Sequence, residues 1–100
     1  MAITATAGSK TYIGDFGTVI LLDCGSDIST ATLAGVWVRK PNGKYTLWRG
    51  VVYETQYVKY IIKEGDLDQT GVYNIQAKIE MPSWSGLGET SSFTVYNMFQ

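Results

Sequence analysis

Val72-Tyr73-Asn74-Ile75-Gln76-Ala77-Lys78-Ile79-Glu80-Met81 alternates without a break. Tyr73, Ile75, Ala77, Ile79 and Met81 are its apolar members, and Asn74, Gln76, Lys78 and Glu80 fill the places between them. A period of two is the period of a strand, with one face on a core and the other in water. Helical periodicity is hard to find elsewhere in the chain. Thr, Val, Ile and Tyr recur in short blocks between Gly, Pro, Asn, Asp and Ser clusters, which is an all-β pattern.

Working outward, Thr18 to Asp23 holds Val19, Ile20, Leu21 and Leu22 in a row, too continuous for a half-wet edge, so a central strand is expected there. Leu33 to Lys40 is the next strand, and Pro41-Asn42-Gly43 is a hairpin turn in which Gly43 supplies a positive φ. The return strand is Lys44 to Trp48. Val51 to Ile62 fits either two strands broken near Thr55-Gln56 or one long strand with a bulge. A short strand within residues 2 to 6, a piece around Tyr12 and Ile13, and a closing strand over Glu89 to Met98 complete the set. Residues 82–88, with Trp84 among Pro82, Ser83, Ser85 and Gly86, are expected as a loop. About seven short strands imply an antiparallel two-sheet β-sandwich.

One hundred residues, 45% hydrophobic and 17% charged, suffice for one domain over residues 1–100 and not for two. Eight Lys and Arg against nine Asp and Glu leave a net charge of -1, which disfavours nucleic-acid binding. There is no histidine, so Ser-His triads, Cys-His dyads and His-ligated zinc are excluded. Cys24 stands alone and cannot form an internal disulfide. The sequence shows no secretion signal and no span of about 20 apolar residues, so no membrane insertion is expected. The lone cysteine and Met1 fit synthesis in a reducing cytoplasm.

Asp68-Gln69-Thr70-Gly71-Val72-Tyr73 resembles the Asp-x-Gly-x-Tyr segment that opens the penultimate strand of immunoglobulin domains, one residue longer. The resemblance implies an immunoglobulin-like sandwich and a tyrosine corner built from Tyr73, Asp68 and Gly71. Cys24 and Trp37 follow the spacing of that fold, but Ile75 stands where its second cysteine would.

A longer set of motifs runs over residues 18 to 97. It comprises Asp23, Asp27-Ile28-Ser29, Lys40-Pro41-Asn42-Gly43, Trp48, Asp66-Leu67-Asp68-Gln69-Thr70-Gly71, Gln76-Ala77, Gly88-Glu89-Thr90 and Phe93-Thr94-Val95-Tyr96. Their order is similar to that in small tail and baseplate proteins of bacteriophages and prophages, in particular the N-terminal domain of the baseplate upper protein. That resemblance implies a non-enzymatic structural protein of a virion, made in the host bacterial cytoplasm. Its partners would be other virion proteins or further copies of itself, and it would carry no cofactor.

Candidate sites follow from the aromatic surplus. Trp48, Tyr53 and Tyr60, with Tyr57, are expected to form an aromatic patch, and Trp84 either plugs the sandwich end or anchors a partner. The same aromatics would serve an alternative function, a small carbohydrate-binding module. Trp37 faces the core or the solvent according to a register that the sequence leaves open. Glu64, Asp66 and Asp68 have calcium-like spacing but lack the other ligands of a calcium loop, so an inter-sheet turn is expected. Arg39, Lys40, Lys44 and Arg49 frame the Pro41 hairpin, and edge protection is the preferred reading over head-to-tail assembly against the acidic loop. No nucleophile-base pair can be named, so no enzyme and no catalytic residues are expected.

Overall fold

The computed structural model describes residues 10–100, and no helix occurs among them. The strands are β1 (Thr11–Tyr12), β2 (Val19–Asp23), β3 (Leu33–Arg39), β4 (Tyr45–Arg49), β5 (Val51–Tyr53), β6 (Tyr57–Ile61), β7 (Gly71–Met81), β8 (Trp84–Leu87) and β9 (Ser91–Tyr96). The larger sheet has the order β1-β9-β7-β3-β4, with β8 also on β7, and the smaller has the order β2-β6-β5. β1 joins β9 in parallel and every other pair is antiparallel. This is the two-sheet sandwich expected from the strand pattern, with the immunoglobulin-like character that the resemblance over residues 68–73 implied. The strand expected within residues 2 to 6 lies outside the described residues.

Nine strands form among the described residues where about seven were expected, and β8 is the clearest difference. β7 is 11 residues long, and β9 pairs only its first part, Gly71 to Ile75. The rest of that edge, Lys78 to Met81, is taken by β8 through a tight turn at Pro82-Ser83. The expected loop is therefore largely a strand. The open choice over Val51 to Ile62 resolves as a hairpin, with Tyr53 paired to Tyr57. Glu54 and Thr55 both take positive φ, at 48° and 63°. That conformation is unfavourable for a β-branched residue. The turn's carbonyls hold it in place, because Ile28 N–H donates to Thr55 O (2.7 Å) and Cys24 N–H to Gln56 O (2.8 Å). At the Pro41 hairpin, Gly43 has φ 85° and donates to Lys40 O at 2.8 Å.

The core lies between the sheets. Ile20 and Leu22 on β2, Val36 and Val38 on β3, Val58 on β6, and Tyr73, Ile75, Ala77 and Ile79 on β7 all bury their side chains, with Val95 on β9 and the loop residues Ile28 and Leu67. Alternation along β7 thus puts Tyr73, Ile75, Ala77 and Ile79 inward and leaves Val72 on the outer face. Trp48 on β4 and Tyr60 on β6 stack across the interior, with centroids 5.0 Å apart and planes 17° from parallel. Within the larger sheet, Tyr73 stacks on its register partner Phe93 at 5.3 Å. Gly50 carries the chain from β4 in one sheet to β5 in the other, and its N–H donates to Ala34 O.

Candidate functional site

The expected aromatic patch is divided by this fold. Trp48 and Tyr60, 6% and 5% exposed, belong to the core and leave the surface set. β4 lies in the larger sheet and β6 in the smaller, so Trp48 and Tyr60 meet inside the sandwich. The sugar-stacking platform built on the same residues is absent for the same reason. Tyr53 is partly exposed on β5, set against Tyr57 (6.4 Å) with Lys59 Nζ 4.9 Å above its ring. Trp84 is 53% exposed on β8, and a Cβ built on Gly86 would lie 2.5 Å from its indole. The ring is folded over its own hairpin rather than into the sandwich end.

Tyr73, Asp68 and Gly71 meet at one corner. The Tyr73 hydroxyl accepts from Gln69 N–H (3.2 Å) and donates to Gln69 O (3.3 Å), four residues upstream. Lys40 Nζ binds Asp68 at 2.9 Å, and Asn42 N–H donates to the Gln69 side chain at 3.1 Å. Gly71, at φ 122°, lies against Pro41. Basic hairpin and acidic segment therefore meet within one chain, and Asp68 is already paired. Asp66 is also engaged, accepting from Lys63 N–H and from the Tyr60 hydroxyl. The Lys40 ammonium holds the Asp68 carboxyl below its ordinary range. Burial, and then the Asp66 carboxylate, push the Tyr60 phenol well up.

The feature that sequence reading left open is the most informative. Val36 and Val38 are buried, so the strand turns Trp37 outward at 39% exposure. Arg39, two residues on, shares that face and is exposed. Register then places Leu47 and Gln76 beside Trp37, and Tyr45 and Asn74 beside Arg39. A groove of about 590 Å³ runs over this face, lined by Trp37, Arg39, Tyr45, Gln76, Leu87 and Thr90 among others. Gln76 Nε2 donates to Gly88 O at 3.1 Å, which ties the segment after β8 to the groove. The Arg39 guanidinium makes no ion pair among the described residues. The available signal was the alternation Val36-Trp37-Val38; what the sequence lacked was the sheet partner that decides between the two faces.

The groove holds an open indole, a phenol, a cation and carboxamides, which suit binding. Reactive groups are scarce by comparison. Cys24 is half-buried, and burial followed by the Asp23 charge raises its thiol, which disfavours the nucleophilic thiolate. Among the described residues no group of three or more Cys, Asp or Glu side chains is placed to hold a metal ion. No helix among them is long and apolar enough to cross a membrane.

No family model matches the chain, and no curated protein matches it either. Among solved structures it is similar to CopC from Methylosinus trichosporium OB3b, with a TM-score of 0.59 and 14% sequence identity, over 93% of this chain and 89% of that one. This finding overturns the resemblance to phage tail and baseplate proteins. The virion role, the virion partners, the self-assembly and the localisation to a cytoplasm-made particle rested on that resemblance and are withdrawn with it. The motifs that carried it have structural work in a sandwich: Asp23 and Asp27 cap turns at Gly25 and Ser29, and the Lys40 and Asp68 motifs fasten one corner. Short turn motifs in sandwich order recur wherever strands of similar length must be joined, so their order reported the architecture. At this identity the likeness establishes the fold, a β-sandwich of the kind seen in CopC.

Proposed function

We propose that the chain is a single-domain, non-catalytic binding module whose ligand lies in the groove over β3, β4 and β7. The observation that carries this reading is the pair Trp37 and Arg39, on successive outward positions of β3, the indole 39% exposed and the guanidinium in no ion pair among the described residues. Leaving an indole half open in the middle of a sheet forgoes burial that a purely structural residue would gain. The groove's volume is in the range of small-ligand sites, roughly 300–1,000 Å³. Its ligand presents an apolar or planar group to Trp37 and Leu87 and an acidic group to Arg39. A resident transition metal fits these residues poorly, since imidazole is its commonest nitrogen donor and the chain has no histidine.

The test is a titration of isotopically labelled protein with aromatic carboxylates, phenylacetate and indole-3-acetate, and with their neutral amides, followed by NMR. Saturable shifts are expected at the Trp37 indole N–H and at residues 37–39, 45–47, 74–76 and 87–90. Arg39→Gln should remove the preference for carboxylate over amide. Shifts confined to another surface, or unchanged by Trp37→Ala, would overturn the reading.

A further inference from the structure

Among the described residues, β4 closes one side of the larger sheet and is paired on one flank only, to β3. Two bonds fix the phase of that ladder: Lys40 N–H to Lys44 O and Gly50 N–H to Ala34 O, both 2.9 Å. Antiparallel ladders alternate, so Lys44, Thr46, Trp48 and Gly50 direct their backbone groups to β3. The N–H and C=O groups of Tyr45, Leu47 and Arg49 therefore point to the open edge. By register the side chains of these three stand on the groove face, opposite Arg39, Trp37 and Gly35.

The charge along this edge is of one sign. Arg39 and Arg49 are exposed on the groove face, and Lys44 adds a third cation at the hairpin. None of the three makes an ion pair among the described residues. Lys78 shares the row of Gly35 and Arg49, and the nearest acidic member of the face by register, Glu80, sits in the row beyond. Two copies joining β4 to β4 would bring these cations together, which is how edges discourage self-pairing. An extended strand carrying carboxylates has the complementary charge and finds a ready ladder.

We infer that the open edge of β4 takes an extended acidic peptide as an added strand, with its outward side chains entering the groove beside Tyr45 and Trp37 and its carboxylates meeting Arg39 and Arg49. This rests on the groove being the binding face, and adds the class of ligand. Backbone pairing supplies affinity with little dependence on sequence, and the two arginines on the groove face select acidic side chains at every second position of the added strand.

The probe is an acetylated, amidated octapeptide alternating Glu and Val. Its controls are the same peptide N-methylated at alternate residues, in both phases, and an octapeptide alternating Lys and Val. Amide exchange read by NMR should slow at Tyr45, Leu47 and Arg49 with the acidic peptide. Affinity should fall roughly tenfold in an Arg39→Gln, Arg49→Gln double variant, and fall as salt rises. Both substitutions are at exposed positions, so the fold should be retained, which the amide spectrum verifies. At least one N-methylated form, which blocks the peptide's ladder, should fail to bind. Equal binding by both N-methylated peptides or by the Lys peptide, protection at β2 or β5 instead, or no binding would each overturn the inference. The aromatic carboxylate titration separates the two failures. If carboxylates mark Trp37 and the peptide leaves β4 unprotected, the strand inference falls and the groove reading stands; if neither binds, both fall.

Discussion

Trp48→Ala should remove a large part of the protein's stability. The indole is buried and stacked at 5.0 Å on Tyr60 from the opposite sheet, so its loss opens a cavity that spans the sandwich. Truncating a buried tryptophan costs about 3–5 kcal/mol, against about 5–15 kcal/mol for a whole domain. Thermal unfolding followed by circular dichroism should show the midpoint lowered by about 15 °C or more. Trp48→Phe keeps an aromatic face on Tyr60 and should lose markedly less. A midpoint unchanged by the alanine variant would mean that Trp48 lies on the surface, as the aromatic-patch reading had it.

Gly50→Ala should be the most damaging of the one-methyl additions. A Cβ there would sit 2.5 Å from the Lys59 carbonyl oxygen, a backbone atom that cannot rotate away, and 3.2 Å from Val58. Relief requires β5 and β6 to part, or β4 to shift from its bond to Ala34. Overpacking of this kind costs roughly 1–3 kcal/mol. At Gly35 the first contact is the end of the Leu47 side chain at 3.0 Å, with the Trp48 carbonyl oxygen at 3.2 Å. Gly35→Ala is therefore the milder comparison, and urea unfolding of the two variants should rank Gly50→Ala as the less stable. The reverse order would show that the crossing between sheets is looser than this geometry.

The strands were legible where alternation was strict, as in Tyr73 to Ile79, or where the apolar run was continuous, as in β2. Turn chemistry identified the Pro41 hairpin, because a Pro-Asn-Gly sequence has few other conformations. β8 escaped notice because Trp84, Ser85, Gly86 and Leu87 have no periodic signal of their own; they become a strand only because β7 is longer than its other partner. The break at Glu54 and Thr55 was hidden for a related reason, since its left-handed residues are held by bonds from residues 24–28 rather than by their own preference. Aromatic residues were the least readable. Trp48 and Trp37 each alternate with neighbours that allow either face, and only pairing with β7 and stacking on Tyr60 turn one inward and the other outward. The groove was therefore not visible in the sequence, although both Trp37 and Arg39 had been singled out.

Selective quenching of tryptophan fluorescence tests most directly that Trp37 stands open beside the Arg39 cation on the groove face. Trp48→Phe, Trp84→Phe leaves Trp37 as the sole indole, and titrating this protein with iodide and with caesium reads both its exposure and its local charge. The account predicts ready quenching, stronger by iodide than by caesium, with the excess lost at high ionic strength or in Arg39→Gln. An indole shielded from both ions would mean that β3 turns Trp37 into the core, and the proposed groove would not exist.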